Sequence, residues 1–523
     1  MTMKLPPDLS ILIVDDSKSA TILIKQQLVS LGISHDKIYI ATDYRQAIRT
    51  VERHTLDVLL IDYHLEQTFT GFELLGILYR KRLIDHTVAT ILLSGDMRQE
   101  TVLTALSGEA HHFISKPIKT PMLGDKITLA VKESQQITQL KQYYPIDTPS
   151  VLQQALSVPN TQKSVQYEAS LIEHLIGTEQ WELLAYVLRE STTNMHPTKL
   201  VAQALVLDSL GKAQQAIDKL HNYLIARPLS LNVIDCLSCI YEKHNMLLPA
   251  LKLAIRAFEL TPSISHRAIR AIDLAENADN AQILIKMGHM YATNISPADI
   301  DVINSISNYF HSLQVAYEKE GSIANKRTLL EQANQFTNQV NLKLTQHQQQ
   351  QVLAALAVFQ CQVLHLEGNH QLAHQKLIRA AALLCHVLNE TPTVLLNQLI
   401  PLLNIYGEYS LYQDLGDFLK ARGDESEQLI LTSDTNPINC INMDSLGSVQ
   451  QLKDYIHTYP YSVAAKLDYL FAVNKTQTEE QLTNEFMAQL QQLELPYKWN
   501  QWISESVRSG FSTKPPSPLS LCN

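Results

Sequence analysis

ILIVDDSKSA, residues 11–20, runs four apolar side chains straight into two adjacent carboxylates. Like charges at neighbouring positions repel, and nothing basic follows until Lys18. Two readings fit this stretch by itself. Asp15-Asp16 is a polar turn before a helix, since Asp is a good N-cap, or it faces a cation held at the end of a strand.

Outward from here, short β-rich runs alternate with amphipathic segments. The apolar runs are ILIV (11–14), IYIA (38–41), VLLI (58–61), ATILLS (89–94) and HHFIS (111–115). Helical patterns fall near 18–31, 44–53, 71–83, 98–107 and 119–139. Five strands alternating with five helices predict an α/β domain with a doubly wound parallel sheet. Such sheets place ligands beyond the carboxyl ends of their strands. Those ends carry Asp15-Asp16, Asp62, Ser94 and Ser115-Lys116-Pro117. Three carboxylates, a hydroxyl and an amine therefore converge on one sheet edge. One strand-terminal Asp is often only a cap; five groups at one edge are not explained that way. Carboxylates so close call for a hard cation, and Mg²⁺ takes oxygen ligands and keeps several waters. A carboxylate beside it can act as a nucleophile toward phosphorus. Lys116 and the metal would offset charge on the transferring group, with Ser94 donating to a phosphoryl oxygen.

In order and spacing this pattern resembles the receiver domain of two-component response regulators, over residues 9 to about 135. The resemblance implies a (βα)5 CheY/flavodoxin-like fold with Asp62 as phosphoacceptor. It implies Mg²⁺ held by Asp16, Asp62 and the backbone carbonyl of His64, with Asp15 acting through water. It makes Ser94 the switch hydroxyl, Lys116 the paired amine and Phe113 the aromatic switch residue. Two departures stand out. Leu65-Glu66 replaces the usual Met-Pro, and the loop from Asp62 to Gly71 is one residue longer than typical. His64 lies where the family tunes dephosphorylation, or is a solvent-facing loop residue. His111-His112 read as fifth-strand residues with no catalytic role.

After QYYPIDTPS (142–150), whose prolines and Asp-Thr mark a linker, the strand signal disappears and helical periodicity takes over. KLVAQALVLDSLGKAQQAIDKLHNYLIARP (199–228) aligns with VIDCLSCIYEKHNMLLPALKLAIRAFELTP (233–262). Gly211 and Asn245, Ala216 and Ala250, and Pro228 and Pro262 are each 34 residues apart, and Gly177 lies 34 before Gly211. A small residue allows the turn, Ala allows close helix packing, and Pro ends the second helix. This resembles tetratricopeptide repeats over 165–262 and again over 352–392, where Gly368 and Ala373 return. The marks vanish over 263–345. QHQQQQ (346–351) reads as a solvated helix start or loop, and 393–505 as irregular helix pairs with Gly407 and Gly447 as turns. A plain helical bundle is the competing reading. The expected organisation is a receiver at 1–140, a linker at 141–150, a tetratricopeptide-like α-superhelix at 151–510 and a flexible tail at 511–523. The fold class is α/β plus all-α.

Composition narrows the function. Net charge is −10, which argues against general nucleic-acid binding, an affinity built mostly from Lys and Arg on phosphates. Residues 1–133 carry 15 basic and 16 acidic groups, so the acidity belongs to the C-terminal part. No apolar run reaches the roughly 20 residues of a membrane span, and no secretory h-region opens the chain; a cytoplasmic protein without membrane insertion is expected. The six Cys suggest no disulfide framework, and Cys236-x-x-Cys239 lacks the second pair of a zinc site. No Walker loop, GxSxG or HExxH occurs, nor any GGDEF, EAL or HD signature, and no short basic DNA-binding module follows the linker. The expected protein is a response regulator, not an enzyme beyond chemistry at its own aspartate. A histidine kinase or phosphotransfer protein would donate to Asp62. The helical array would bind a protein partner, such as a sensor kinase, with DNA excluded and a phosphorylation-dependent homodimer as one form of output. A hidden catalytic or RNA-binding output in the helical region is the alternative.

Overall fold

The computed structural model describes residues 4–66, 69–85, 87–95, 112–157, 165–262, 264–295, 297, 299, 301–423, 448–474 and 480–519. Its contacts divide the chain into two compact units, the first Met1–Ala278 with Ala298–Ile300 and the second Asp279–Pro297 with Asp301–Asn523.

The first unit opens with β1 (Ile11–Val14), α1 (Lys18–Ser30), β2 (Ile38–Ala41), α2 (Tyr44–Arg53) and β3 (Val58–Asp62). A short hairpin follows, β4 (His64–Glu66) and β5 (Phe69–Thr70), then α3 (Gly71–Arg80), β6 (Ala89–Ser94), β7 (His112–Ser115) and α4 (Thr120–Lys141). The sheet order is β2-β1-β3-β6-β7, with every neighbouring pair parallel. The helix expected at 98–107 and His111 lie outside the described residues.

Alternation along each strand builds two cores, because successive side chains point to opposite faces. Ile11, Ile13, Val58 and Leu60 join α1 and α4 through Ile24, Leu28, Leu123 and Ile127. Leu12, Val14, Leu59 and Ile61 join α2 and α3 through Ala47, Val51, Leu74 and Leu78. Strands covered on both faces read as unbroken apolar runs, and β1, β3 and β6 are buried at every position. Burying one such side chain fully is worth roughly 1.5–3 kcal/mol.

The segment expected as a linker, 141–150, packs against the helices that follow it. Leu140 and Ile146 share a core with Leu152, Tyr167 and Leu171. The Tyr144 ring stacks on His174 with centroids 3.8 Å apart, and His174 Nε2 accepts from Ile146 N at 3.2 Å. Burial holds the His174 imidazole below its usual value, favouring this neutral acceptor form. A proline-bearing segment still packs when its apolar residues meet a helix.

Beyond it the described elements are helices as far as Ser509, so the chain is α/β followed by all-α. Helices α5 to α9 are Pro149–Leu156, Val165–Gly177, Trp181–Glu190, Pro197–Ser209 and Ala213–Ala226. Helices α10 to α13 are Leu231–Lys243, Leu247–Leu260, Ser265–Asn277 and Ala281–Asn294. The starts of α8, α10 and α12, at Pro197, Leu231 and Ser265, are 34 residues apart, as are those of α9, α11 and α13, at Ala213, Leu247 and Ala281. The period therefore continues past 262, where the Gly/Ala/Pro marks do not. Its missing marks have substitutes: Asp279 takes the left-handed position of Gly211 and Asn245, and Leu284 is buried where Ala216 and Ala250 are. Asn and Asp visit the left-handed region more readily than other non-glycine residues.

Each of these turns ends its helix with a left-handed residue two positions past the last helical one. At Gly211, its N–H bonds Asp208 O at 3.0 Å and the Lys212 N–H bonds Leu207 O at 2.9 Å. Asn245-Met246 and Gly368-Asn369 repeat the pattern. Gly177 does not take part. It is the last residue of α6, and Glu179 carries the positive φ.

The second unit begins with α13 and adds α14 (Val302–Lys319), α15 (Ile323–Asn341), α16 (Gln346–Leu366), α17 (His370–Leu384), α18 (Thr393–Ile405) and α19 (Tyr409–Arg422). Past the next described boundary come α20 (Val449–Thr458), α21 (Val463–Asn474), α22 (Glu480–Gln491) and α23 (Tyr497–Ser509). The polyglutamine stretch is a helix start, closed by a Thr345–Gln348 capping box. Gly407 is a left-handed turn as expected; Gly447 lies outside the described residues. Of the tail expected at 511–523, residues 511–519 are bonded back onto the helices, with Trp499 Nε1 donating to Pro516 O at 3.0 Å.

Candidate functional site

The site forms where β1, β3, β6 and β7 end. β1 stops at Val14 and α1 begins at Lys18, and between them Ser17 is the N-cap, accepting from Ala20 N at 3.3 Å. That decides which residue caps α1. Neither Asp15 nor Asp16 caps α1, so both carboxylates are left to the sheet edge. Asp15 is fully buried, with Oδ1 accepting from Ser17 N at 2.9 Å; Asp16 is exposed. Asp62 ends β3 and is buried. Carboxylate oxygens of Asp15, Asp16 and Asp62 all lie within 4.8 Å of one another.

Lys116 reaches this cluster from the end of β7. Its Nζ is 2.8 Å from Asp15 Oδ2 and 2.9 Å from Asp62 Oδ1. Its backbone N–H donates to Ser94 O at 2.8 Å, which brings the ends of β6 and β7 together. Ser94 is fully buried at the end of β6, opposite Ser115. Phe113 pairs with Leu92 and lies half-buried at the edge of the α2/α3 core. His64 is exposed and sets its ring edge-on to Tyr63, centroids 5.0 Å apart.

Burial is the strongest influence on the Asp62 carboxyl and raises it above the usual carboxylate range. Lys116 opposes the rise, and Asp15 and Asp16 add to it. Burial pulls the Lys116 ammonium down, but Asp15 and Asp62 together outweigh it and hold the amine above its ordinary value. One ammonium thus serves two carboxylates, with a third beside them. The cluster is short of positive charge, and an all-oxygen donor set of this kind suits a hard divalent cation.

Two features were not read from the sequence. The lengthened loop after Asp62 is a β-hairpin in which His64 pairs with Thr70. Gly71, at its exit, is required by space. A Cβ there would fall 2.1 Å from Asp62 O and 2.6 Å from Ile61 Cγ2. The signal was present, since Thr70 and Glu73 have capping-box spacing and form that box, with Thr70 N on Glu73 Oε2 at 2.7 Å. Gly71→Ala is expected to destabilise this domain by about 1–3 kcal/mol or more, the cost of overpacking. Urea unfolding followed by circular dichroism checks it. An unchanged midpoint would show that the β3 end gives way freely.

A family model described as response regulator receiver domain matches residues 11–128. Those residues are a response regulator receiver domain. The receiver is similar to solved structures that align with it over a minor part of the chain. The signal receiver domain of an HD domain-containing protein from Pseudomonas fluorescens Pf-5 is 24% identical, with 24% of this chain and 97% of that one covered and a TM-score of 0.22. A CheY-like receiver domain protein from Methanospirillum hungatei JF-1 is 26% identical, covering 24% and 96%, also at 0.22. NtrX from Brucella abortus is 22% identical, covering 28% and 33%, at 0.24. No curated protein matches the chain. The receiver brings Asp15, Asp16, Asp62 and Lys116 into one cluster. Ser94 borders it through the Lys116 backbone, while the Phe113 side chain belongs to the core beneath.

Among the described residues, no helix is long and apolar enough to cross a membrane. Cys236 and Cys239 are free thiols. Burial pushes Cys236 up to about 12, so it packs as a small apolar residue and offers no thiolate.

Proposed function

We propose that this protein is a phosphoaccepting response regulator whose helical region binds a protein partner. The observation that carries the first half is Lys116 Nζ held between Asp15 and Asp62, with Asp16 in the same cluster. In this reading an Asp62 carboxylate oxygen attacks the phosphorus of a phosphohistidine on a histidine kinase or phosphotransfer protein. The P–O bond forms as the P–N bond breaks, and the imidazole leaves with the electron pair. Asp16, Asp62 and the His64 carbonyl would hold Mg²⁺, with Asp15 acting through water, and the ion when bound would neutralise the carboxylates and the incoming phosphoryl charge. Lys116 stays charged and pairs with a phosphoryl oxygen. Ser94 donates to another, and Phe113 follows it inward. No further catalysis is assigned to the chain.

The second half rests on the repeated helix pairs, which bury a core between neighbours and leave long faces for partners. Coupling runs through α4, which leaves the Lys116 strand end and packs its Leu140 into the first helices of the array. Allosteric coupling between such sites is usually about 1–3 kcal/mol, a 5–150-fold change in affinity. The expected result is a graded shift in partner affinity or in self-association when beryllofluoride stands in for the phosphoryl group. Sedimentation and partner titration with and without it measure the shift. No twofold change in either, with Asp62 saturated, would sink the gating reading.

A further inference from the structure

The proline-rich end of the chain is seated on the helical region as a ligand is seated. After α23, Gly510 turns the backbone at φ 78 and sends FSTKPPSPL, residues 511–519, back over the helices. Two indoles of α23 supply donors. Trp499 Nε1 donates to Pro516 O at 3.0 Å, and Trp502 Nε1 donates to Thr513 O at 3.1 Å. Asp414 of α19 supplies the acceptor, taking Leu519 N at 2.8 Å and the Ser517 hydroxyl on Oδ2. The Cys385 thiol at the end of α17 lies 3.8 Å from Pro518 O.

The chemistry is matched in kind. Prolines have no N–H, so a proline-rich backbone offers acceptors, and paired tryptophans are suited to read them. The two carbonyls read are three residues apart. Charge is matched as well. Burial raises the Asp468 carboxyl of α21, and the Tyr409 hydroxyl and then the charge of Lys514 oppose the rise, so the tail's one cation acts on an acid of this face. The segment is not core. Ser512, Thr513, Lys514 and Ser517 are exposed, and Pro518 alone is buried, whereas Trp499 beneath it is 1% exposed. A surface strap over a well-built set of donors and acceptors is replaceable by another chain of the same kind.

We propose that the Trp499–Trp502–Asp414 face is a docking site for a basic, proline-containing extended segment of a partner protein, and that residues 511–519 occupy it in cis as a competitor. The inference concerns the output region alone. Its test involves no phosphoryl transfer, so it and the receiver reading can fail separately. A tethered competitor acts at an effective concentration in the millimolar range for a short connection. Trans binding to the intact chain is therefore masked.

The probe is a fluorescein-labelled peptide of residues 511–523, titrated by anisotropy against the full chain and against full-length Pro518→Asp. That substitution sets a carboxylate beside Asp414 and drives the tail off without touching the site. The expected result is at least about tenfold tighter peptide binding to Pro518→Asp than to wild type. Adding Asp414→Asn should remove the gain, and a peptide with its prolines replaced by alanine should not bind. Equal binding to both chains, with the helical circular dichroism spectrum retained, overturns the proposal. Loss of that spectrum in Pro518→Asp overturns it too, since the segment would then be a structural strap.

Discussion

Asp62→Asn is expected to abolish phosphoryl uptake while leaving the receiver folded. The amide matches the carboxylate in size, but it has no anionic oxygen to attack phosphorus. The replacement takes one charge from a cluster crowded with Asp15 and Asp16, and Lys116, though it loses the Asp62 ion pair, keeps the one with Asp15. Incubation with acetyl phosphate and Mg²⁺ should give wild type an acid-stable, base-labile adduct and give the variant none. EDTA should have the same effect on wild type, because three carboxylates within 4.8 Å of one another repel a phosphoryl donor unless a cation offsets them. Lys116→Ala should slow the reaction by about 10²–10³, the usual effect of deleting one charge-stabilising donor. Wild-type labelling of Asp62→Asn would move the acceptor to another residue and undo the assignment.

The largest stability effect is expected at Glu408, far from that chemistry. Glu408 is fully buried between α18 and α19. Its Oε1 accepts from His374 Nε2 at 2.7 Å and from Val463 N at 2.6 Å, and Oε2 accepts from Ala464 N at 3.3 Å. A carboxylate thus closes the N-terminus of α21, where helix charge favours an anion, and pairs with a buried imidazole. It also steadies Lys466 one turn further on. Burial pulls that ammonium down to about 8, with Glu408 opposing the fall. Glu408→Ala would leave two buried N–H groups and a buried ring nitrogen without their acceptor, and would take away one of the two carboxylates, with Glu485, whose charge steadies the Lys466 ammonium. Breaking a buried pair in this way costs about 3–5 kcal/mol. For a unit of 150–250 residues each kcal/mol is about 2–4 °C. The transition of the second unit should therefore fall by roughly 6–20 °C in calorimetry. Glu408→Gln keeps one acceptor and should lose distinctly less. A shift under 2 °C for the alanine variant would show that water replaces the carboxylate.

How much could be read beforehand depended on how local each signal is. The five sheet strands were legible because each is a continuous apolar run, and strands buried on both faces need that run. The site was legible because topology fixes which ends of parallel strands share an edge. The hairpin after Asp62 was not, since β4 and β5 are too short to carry a period. The third 34-residue step was hidden because the left-handed turn accepts Asp279 in place of Gly. Gly177 misled in the opposite direction, a glycine that ends a helix without making its turn.

The order of strands and helices, the carboxylates at the strand ends and the 34-residue spacing were set by the amino-acid sequence alone, because periodicity, capping and turn chemistry act within a few residues. Tertiary structure decided the rest. It chose Ser17 over the two aspartates as the cap of α1, and joined Lys116 to Asp15 across 101 positions of chain. It turned a proline-bearing linker into packed core around Ile146, and laid a polar tail against two tryptophans. Each of these outcomes depends on which distant group arrives to share a hydrogen bond or exclude water, and no local pattern carries that information.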